Sequence, residues 1–198
     1  MKQKTALILS GGMDSVALCW WQKPDMAITI DYGQKAALAE IEASTQICKI
    51  LKLDHYILTV DCKSLGSGDM AGATADKYAP ASDWWPYRNQ LLITLAAMKA
   101  ISLGAKRLLL GTVKNDSFHI DGTPEFIESI SSLLRLQEGN LLVEAPSIML
   151  TTHELIIRSK IPTEVLMLTH SCHKNIVPCN NCRGCNKHNE VLDLISEY

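Results

Sequence analysis

Two groups of residues in this chain have the types and spacing to do chemistry. The first is Ser10-Gly11-Gly12-Met13-Asp14-Ser15, which follows the apolar run Thr5-Ala6-Leu7-Ile8-Leu9 and opens a helical pattern from Asp14 to Trp21. Glycines let backbone N–H groups approach an anion, a following helix adds its positive end and free donors, and the Ser10 and Ser15 hydroxyls add two more. This predicts a phosphate cradle. The string has neither the lysine of a Walker A loop nor the third glycine of a dinucleotide fingerprint. A plainer alternative is a strand that bends into a helix with Asp14 or Ser15 near its N-cap. The early position of strand, loop and helix favours the cradle, because ligands of α/β sheets sit at the carboxyl ends of strands.

The second group is Cys172, Cys179, Cys182 and Cys185, spaced C-x6-C-x2-C-x2-C. Four thiolates so spaced can surround one tetrahedral zinc ion, and Gly184 gives the tight turns backbone freedom. An iron–sulfur cluster is the rival, but the fourth ligand and following proline of the ferredoxin run are absent, which favours zinc. His170, His173 and His188 flank the cysteines and are surplus to a full set of four sulfurs. Such a site has no open position, so its expected role is to pin the C-terminal segment near the mouth of the sheet.

The elements that must position these groups alternate along the chain. Apolar runs at Ala6 to Leu9, Met26 to Ile30, Tyr56 to Val60, Leu108 to Leu110 and Leu141 to Val143 read as strands of a parallel sheet. Helical patterns cover Asp14 to Trp21, Ala36 to Leu51, Asn89 to Ser102, Pro124 to Leu136 and Thr152 to Lys160, and a last one carries Val191, Leu192, Leu194 and Ile195. The stretch from Cys62 to Pro86 is rich in Gly, Ser, Ala, Pro and Asp and reads as a mobile flap. Its Trp84-Trp85 pair could stack on a purine or pack over the sheet edge. At 198 residues the whole chain reads as one domain that includes the cysteine motif.

Nineteen Lys and Arg against 21 Asp and Glu argue against broad nucleic-acid binding. No run has the length of a membrane span or a secretory h-region, so a cytoplasmic protein is expected. In a reducing compartment seven cysteines speak for metal or thiol chemistry rather than disulfides. Cys19 and Cys48 fall on helical patterns and read as core, and Cys62 as buried. His119, beside Asp116 and Asp121, could act as a base on an incoming amine.

The Ser-Gly-Gly-x-Asp-Ser loop resembles the PP-loop of the N-type ATP pyrophosphatases, which adenylate a carboxylate, amide or ring carbonyl and hold the departing pyrophosphate. With the cysteine motif, Asp31-Tyr32-Gly33-Gln34, Pro86-Tyr87-Arg88-Asn89, Pro124-Glu125-Phe126 and Ser171-Cys172, most of the chain is similar to the QueC (7-cyano-7-deazaguanine synthase) family. The resemblance implies a five-stranded parallel sheet flanked by helices, a zinc-binding C-terminal segment and a homodimer. It implies an ATP- and Mg2+-dependent carbon–nitrogen ligase that activates the carboxylate of 7-carboxy-7-deazaguanine, lets ammonia displace AMP, and dehydrates the amide to the nitrile. Ser10, Gly11, Gly12, Asp14 and Ser15 would then hold phosphates, with Asp14 near magnesium. Asp31, Tyr32, Gly33 and Gln34 join them as cofactor-binding candidates, and Arg88 and Lys160 as cations for ATP or substrate.

Where the family has Tyr-Pro-Asp-Cys-Arg before Pro-Glu-Phe, this chain reads His119-Ile120-Asp121-Gly122-Thr123, keeping only the aspartate. The family's histidine after Asp-Tyr-Gly-Gln-Arg is also missing. The changes fall where the acyl group or its acceptor would lie, while the ATP loop and zinc motif are whole. One alternative is therefore a QueC-like enzyme that conjugates the acyl group to another amine, a protein amine included, in bacterial antiphage defence. Another is tRNA thiolation, which would require catalytic cysteines outside the zinc set and a tRNA-binding extension.

Overall fold

Alternate residues of the apolar runs point to opposite faces of a sheet. Leu7, Leu9, Ala27 and Leu109 join one buried cluster, and Ala6, Ile28, Leu108 and Leu110 the other. A sheet buried on both sides must be covered on both sides. The computed structural model describes residues 3–196. Strands β1 (Thr5–Ile8), β2 (Met26–Asp31), β3 (Asp54–Thr59), β4 (Arg107–Leu109) and β5 (Leu142–Glu144) form one parallel sheet in the order β3-β2-β1-β4-β5. The helices are α1 (Met13–Gln22), α2 (Ala37–Leu51), α3 (Gly68–Ala71), α4 (Arg88–Ser102), α5 (Pro124–Arg135), α6 (Thr152–Ser159), α7 (Thr163–Leu166) and α8 (Arg183–Ser196). The Leu7 face is covered by α1, α2, α6, α7 and α8, and the Ala6 face by α4 and α5.

The expected α/β class and five parallel strands are thus observed. From β1 the chain winds outward to β2 and β3, then crosses back to lay β4 on the other side of β1. That reversal opens a crevice at the carboxyl ends of β1 and β4, where ligands of this architecture bind. The end of β1 is held firmly: the Leu9 carbonyl accepts hydrogen bonds from Thr29 Oγ1 at 2.7 Å and Ser44 Oγ at 3.1 Å.

Cys19 and Cys48 are core residues, as expected, and burial pushes their thiols up to about 12 and about 11. The segment from Cys62 to Pro86 is better anchored than its composition suggests. Met70, Asp83 and Trp85 are buried, and the Trp85 ring meets Tyr32 edge-on at 4.9 Å. Trp85 is therefore packing, not a free stacking platform. The last helical pattern begins earlier than its apolar residues indicate, at Arg183, so α8 contains Cys185 and docks Val191 on the core.

Candidate active site

After β1 the chain turns at Gly11, whose φ of 74° lies in the left-handed region. A Cβ there would sit 2.7 Å from the Glu40 carbonyl oxygen, so the turn needs glycine on both counts. Gly12 then caps α1 with no side-chain hydrogen bond, which leaves the first donors of the helix without a side-chain acceptor. The Ser10 and Ser15 hydroxyls lie 3.1 Å apart, and Ser15 Oγ donates to the Gly12 carbonyl at 3.0 Å. Opposite them, a Cβ on Gly111 would fall 2.6 Å from Ser15 Cα, so β4 can end against the loop only because residue 111 has no side chain. Ser10, Gly12, Asp14 and Ser15 line a cavity of about 730 Å³ that extends to Arg88, Asp83 and the cysteine segment. Gly11 shapes the loop without lining it.

Charge is concentrated where the loop meets the tail of the chain. Lys187 Nζ on α8 donates to Asp14 Oδ2 at 2.8 Å and to Asp116 Oδ1 at 3.3 Å. Burial, reinforced by Asp116, pushes the Asp14 carboxyl above its ordinary range despite Lys187. Asp14 Oδ1 is buried with no hydrogen-bond partner. Unpaired carboxylate oxygen beside a second carboxylate is the donor chemistry that a magnesium ion takes.

Of Asp31-Tyr32-Gly33-Gln34 only Tyr32 lines the cavity. The other three build the turn that supports it: Asp31 Oδ1 accepts from Gly33 N at 2.9 Å, and Gln34 Oε1 accepts from Tyr32 N at 2.9 Å. Gln34 Nε2 also donates to Glu40 Oε2 at 2.7 Å. Glu40 does line the cavity, and burial pushes its carboxyl up to about 7. Arg88, in the first turn of α4, lies among Tyr32, Asp121, Glu40 and Asp83. Burial works against its cation, but those neighbours together raise its pKa. Asn89 ties this turn to the 116–122 loop, its Nδ2 donating to the Asp121 carbonyl at 3.0 Å.

Lys160 does not reach the cavity. It is exposed, in a left-handed conformation (φ 53°) at the C-cap of α6. The lysine at the loop is Lys187.

The Sγ atoms of Cys172, Cys179, Cys182 and Cys185 all lie within 4.8 Å of one another, with Cys179–Cys185 at 3.9 Å and Cys172–Cys182 at 4.0 Å. Four sulfurs about 2.3 Å from one tetrahedral ion stand about 3.8 Å apart, so the set fits a single ion. A cluster that binds each thiolate to a different iron needs a wider ring. Backbone N–H groups of His173 and Cys185 donate to Cys182 Sγ, each at 3.4 Å. Two contacts tie the cysteine segment to the loop, His170 N donating to the Gly11 carbonyl at 2.9 Å and Lys187 binding Asp14. These contacts place the cysteine segment at the mouth of the sheet. His170 and His188 are engaged elsewhere, with the Asn175 carbonyl and Ser171 Oγ.

The chain matches the family model described as "Queuosine biosynthesis protein QueC" over residues 4–195. It belongs to the QueC family. The 7-cyano-7-deazaguanine synthase of Methanobrevibacter smithii is 28% identical over 98% of this chain and 95% of its own length. That of Lysinibacillus sphaericus is 29% identical over 100% and 98%. Among solved structures, the U34-tRNA thiolase NcsA from Methanococcus maripaludis with its [4Fe-4S] cluster has a TM-score of 0.55 at 18% identity, covering 99% of this chain and 65% of that one. The NMN synthetase from Francisella tularensis has a TM-score of 0.51 at 12% identity, covering 98% and 77%. These likenesses establish the shared fold. Among the described residues no helix is long and apolar enough to cross a membrane.

Sequence reasoning missed four residues of this QueC-family cavity: Glu40, Asp83, Asp116 as a partner of Lys187, and Lys187 itself. Lys187 stands two places after the last cysteine, a position that could have suggested it. Glu40 and Asp83 carry no local signal and are brought to the cavity by packing alone.

Proposed function

We propose that this protein adenylates the carboxylate of 7-carboxy-7-deazaguanine with ATP and transfers the acyl group to an amine, ammonia giving the amide and, after a second activation, the nitrile. What supports this above all is the uncapped start of α1, which opens with Ser10 and Ser15 into the cavity that Arg88 also lines. In the first step a carboxylate oxygen attacks the α-phosphorus and pyrophosphate leaves; in the second the amine nitrogen attacks the acyl carbon and AMP leaves.

On this reading the α1 N–H groups and the two serine hydroxyls hold the pyrophosphate, and Lys187 supplies the cation beside it. Arg88 sits over the developing charge, its planar fork suited to phosphate or carboxylate. Magnesium would be held by Asp14 and Asp116 and would neutralise phosphate charge. The four cysteines would hold zinc as a closed, structural site. Protein incubated with the acid, ATP, magnesium and ammonia should release AMP and pyrophosphate; ADP and phosphate would overturn the mechanism.

A second reading concerns the acceptor. His119 lines the cavity where the family's Tyr-Pro-Asp-Cys-Arg is replaced, which favours an amine other than ammonia, a protein amine of a defence system included. Intact-mass analysis of proteins encoded beside it, after co-expression, separates the two: a mass gain on a neighbour supports conjugation, and released nitrile with unmodified neighbours supports the small-molecule reaction.

A further inference from the structure

Asp83 is an acidic residue buried in the wall of the cavity with one oxygen left unsatisfied. The residue is 8% exposed, and its Oδ1 is buried without a hydrogen-bond partner. Its neighbours come from separate parts of the chain. His119 Nε2 is 3.7 Å from Oδ1, while His173 Nδ1 and Arg183 Nη1 are each 3.7 Å from Oδ2. None of these is close enough for a hydrogen bond. The His119 nitrogen cannot be pulled in as a donor either, because it accepts from Arg183 Nη1 at 3.3 Å. An orphaned buried carboxylate oxygen is costly, and in a cavity wall it marks a place where a ligand supplies the missing donor.

The charges around Asp83 restrict what that donor can be. Arg183 lies on one side, and the Arg88 guanidinium is near enough to feel the carboxylate. Two fixed guanidiniums repel an incoming ammonium, so this is a poor seat for a cationic amine. A neutral heterocycle pays no such penalty. A guanine-type base presents a ring N–H and an exocyclic amino group side by side, two donors that match the two oxygens of one carboxylate.

We propose that Asp83 reads the N–H/amino edge of the 7-deazaguanine base and makes this enzyme specific for 2-amino deazapurines. The inference rests on the proposed substrate class and adds to it a specificity-determining residue. Arg183, whose Nη1 lies 3.7 Å from Oδ2, pairs electrostatically with the carboxylate and links the 62–86 segment to the cysteine segment. The ring bound at Asp83 would have its carboxylate free to turn toward Arg88 and the α1 loop, which line the same cavity.

The test is acid-dependent exchange of labelled pyrophosphate into ATP by the full-length, metal-loaded protein. It compares 7-carboxy-7-deazaguanine with the analogue that lacks the 2-amino group. The wild-type protein should show a KM about 10- to 100-fold higher for the analogue, the loss expected for hydrogen bonds to a charged group, with kcat little changed. In Asp83→Asn an amide donor faces two ligand donors. The KM for the natural acid should rise by a similar factor, the KM for ATP should stay the same, and the preference for the 2-amino compound should vanish. An analogue handled equally well by the wild type, or a variant that keeps the preference, overturns the role of Asp83. The wild-type comparison alone decides the matter if the variant does not fold. A wild-type protein that exchanges pyrophosphate with neither acid overturns the substrate reading itself, and this inference with it.

Discussion

Lys187 Nζ and Asp14 Oδ2, 173 positions apart in sequence, lie 2.8 Å apart and join the last helix to the first. Both side chains are mostly buried, at 32% and 20% exposure, so water screens the pair only in part. Through it the cysteine segment, which carries Lys187 on α8, is mechanically and electrostatically joined to the loop from Ser10 to Ser15.

Removing the cation should therefore act on both stability and nucleotide binding. Lys187→Ala leaves Asp14 beside Asp116 without compensation and is expected to cost about 2 kcal/mol, the scale of a hydrogen bond between charged groups. Urea midpoints on metal-loaded protein measure this, and Asp14→Asn in the same background should recover part of the loss. If the loop uses Lys187 for phosphate, the KM for ATP rises as well. An unchanged KM would remove Lys187 from the phosphate site.

Metal analysis should find one zinc ion per chain. An ion held by all four sulfurs would close the loop from Cys172 to Cys185, and a cross-link over such a loop contributes about 3 kcal/mol. A strong chelator should accordingly lower the Tm by about 6–12 °C and weaken ATP binding, because His170 and Lys187 lose their support. Iron in place of zinc, or a chelated protein with undisturbed ATP affinity, would contradict this.

Glu40 should give the protein a stability that falls with rising pH. Burial holds its folded pKa at about 7, above the ordinary 4.5, so between these limits the folded state keeps a proton that the unfolded chain has lost. Unfolding free energy then declines as pH rises through that window, by a total of about 3 kcal/mol, and is flat with respect to this group above and below it. Glu40→Gln should flatten the decline and leave the variant relatively more stable at pH 8 than at pH 4.5. Equal slopes in urea titrations of the two proteins would show that the proton is not held.

Gly111 and Gly104 separate local strain from loop geometry. Gly111→Ala pushes a methyl group against the backbone of Ser15 and should cost about 1–3 kcal/mol while reducing ATP affinity more than tenfold. Gly104 has φ 79° with nothing within 4 Å of an added Cβ, so Gly104→Ala costs about 1–2 kcal/mol through backbone strain alone. Isothermal titration with ATP should distinguish them, since only the first variant touches the loop. Equal ATP affinities would mean that the β4–α1 contact does not shape the site.

The strands, most of the helices, the glycine turn from Ser10 to Ser15 and the clustering of the four cysteines could all be read from the sequence. Each depends on short-range order: apolar alternation, a glycine turn at a strand end, or thiols spaced for one ion. Tyr32 and Arg88 could be picked out as well, since they stand in short motifs at element ends. Asp31, Gly33 and Gln34 share the motif of Tyr32, but a turn aims only some of its side chains at the cavity and spends the others on its own hydrogen bonds. Lys160 lies outside the cavity because it stands exposed at a left-handed helix end, while α8 folds back over 173 positions to deliver Lys187 to Asp14. Glu40 and Asp83 took their character from packing alone: burial raises the pKa of the first and leaves one oxygen of the second without a hydrogen-bond partner. Desolvation depends on which distant segments close over a side chain, and only the tertiary structure decides that.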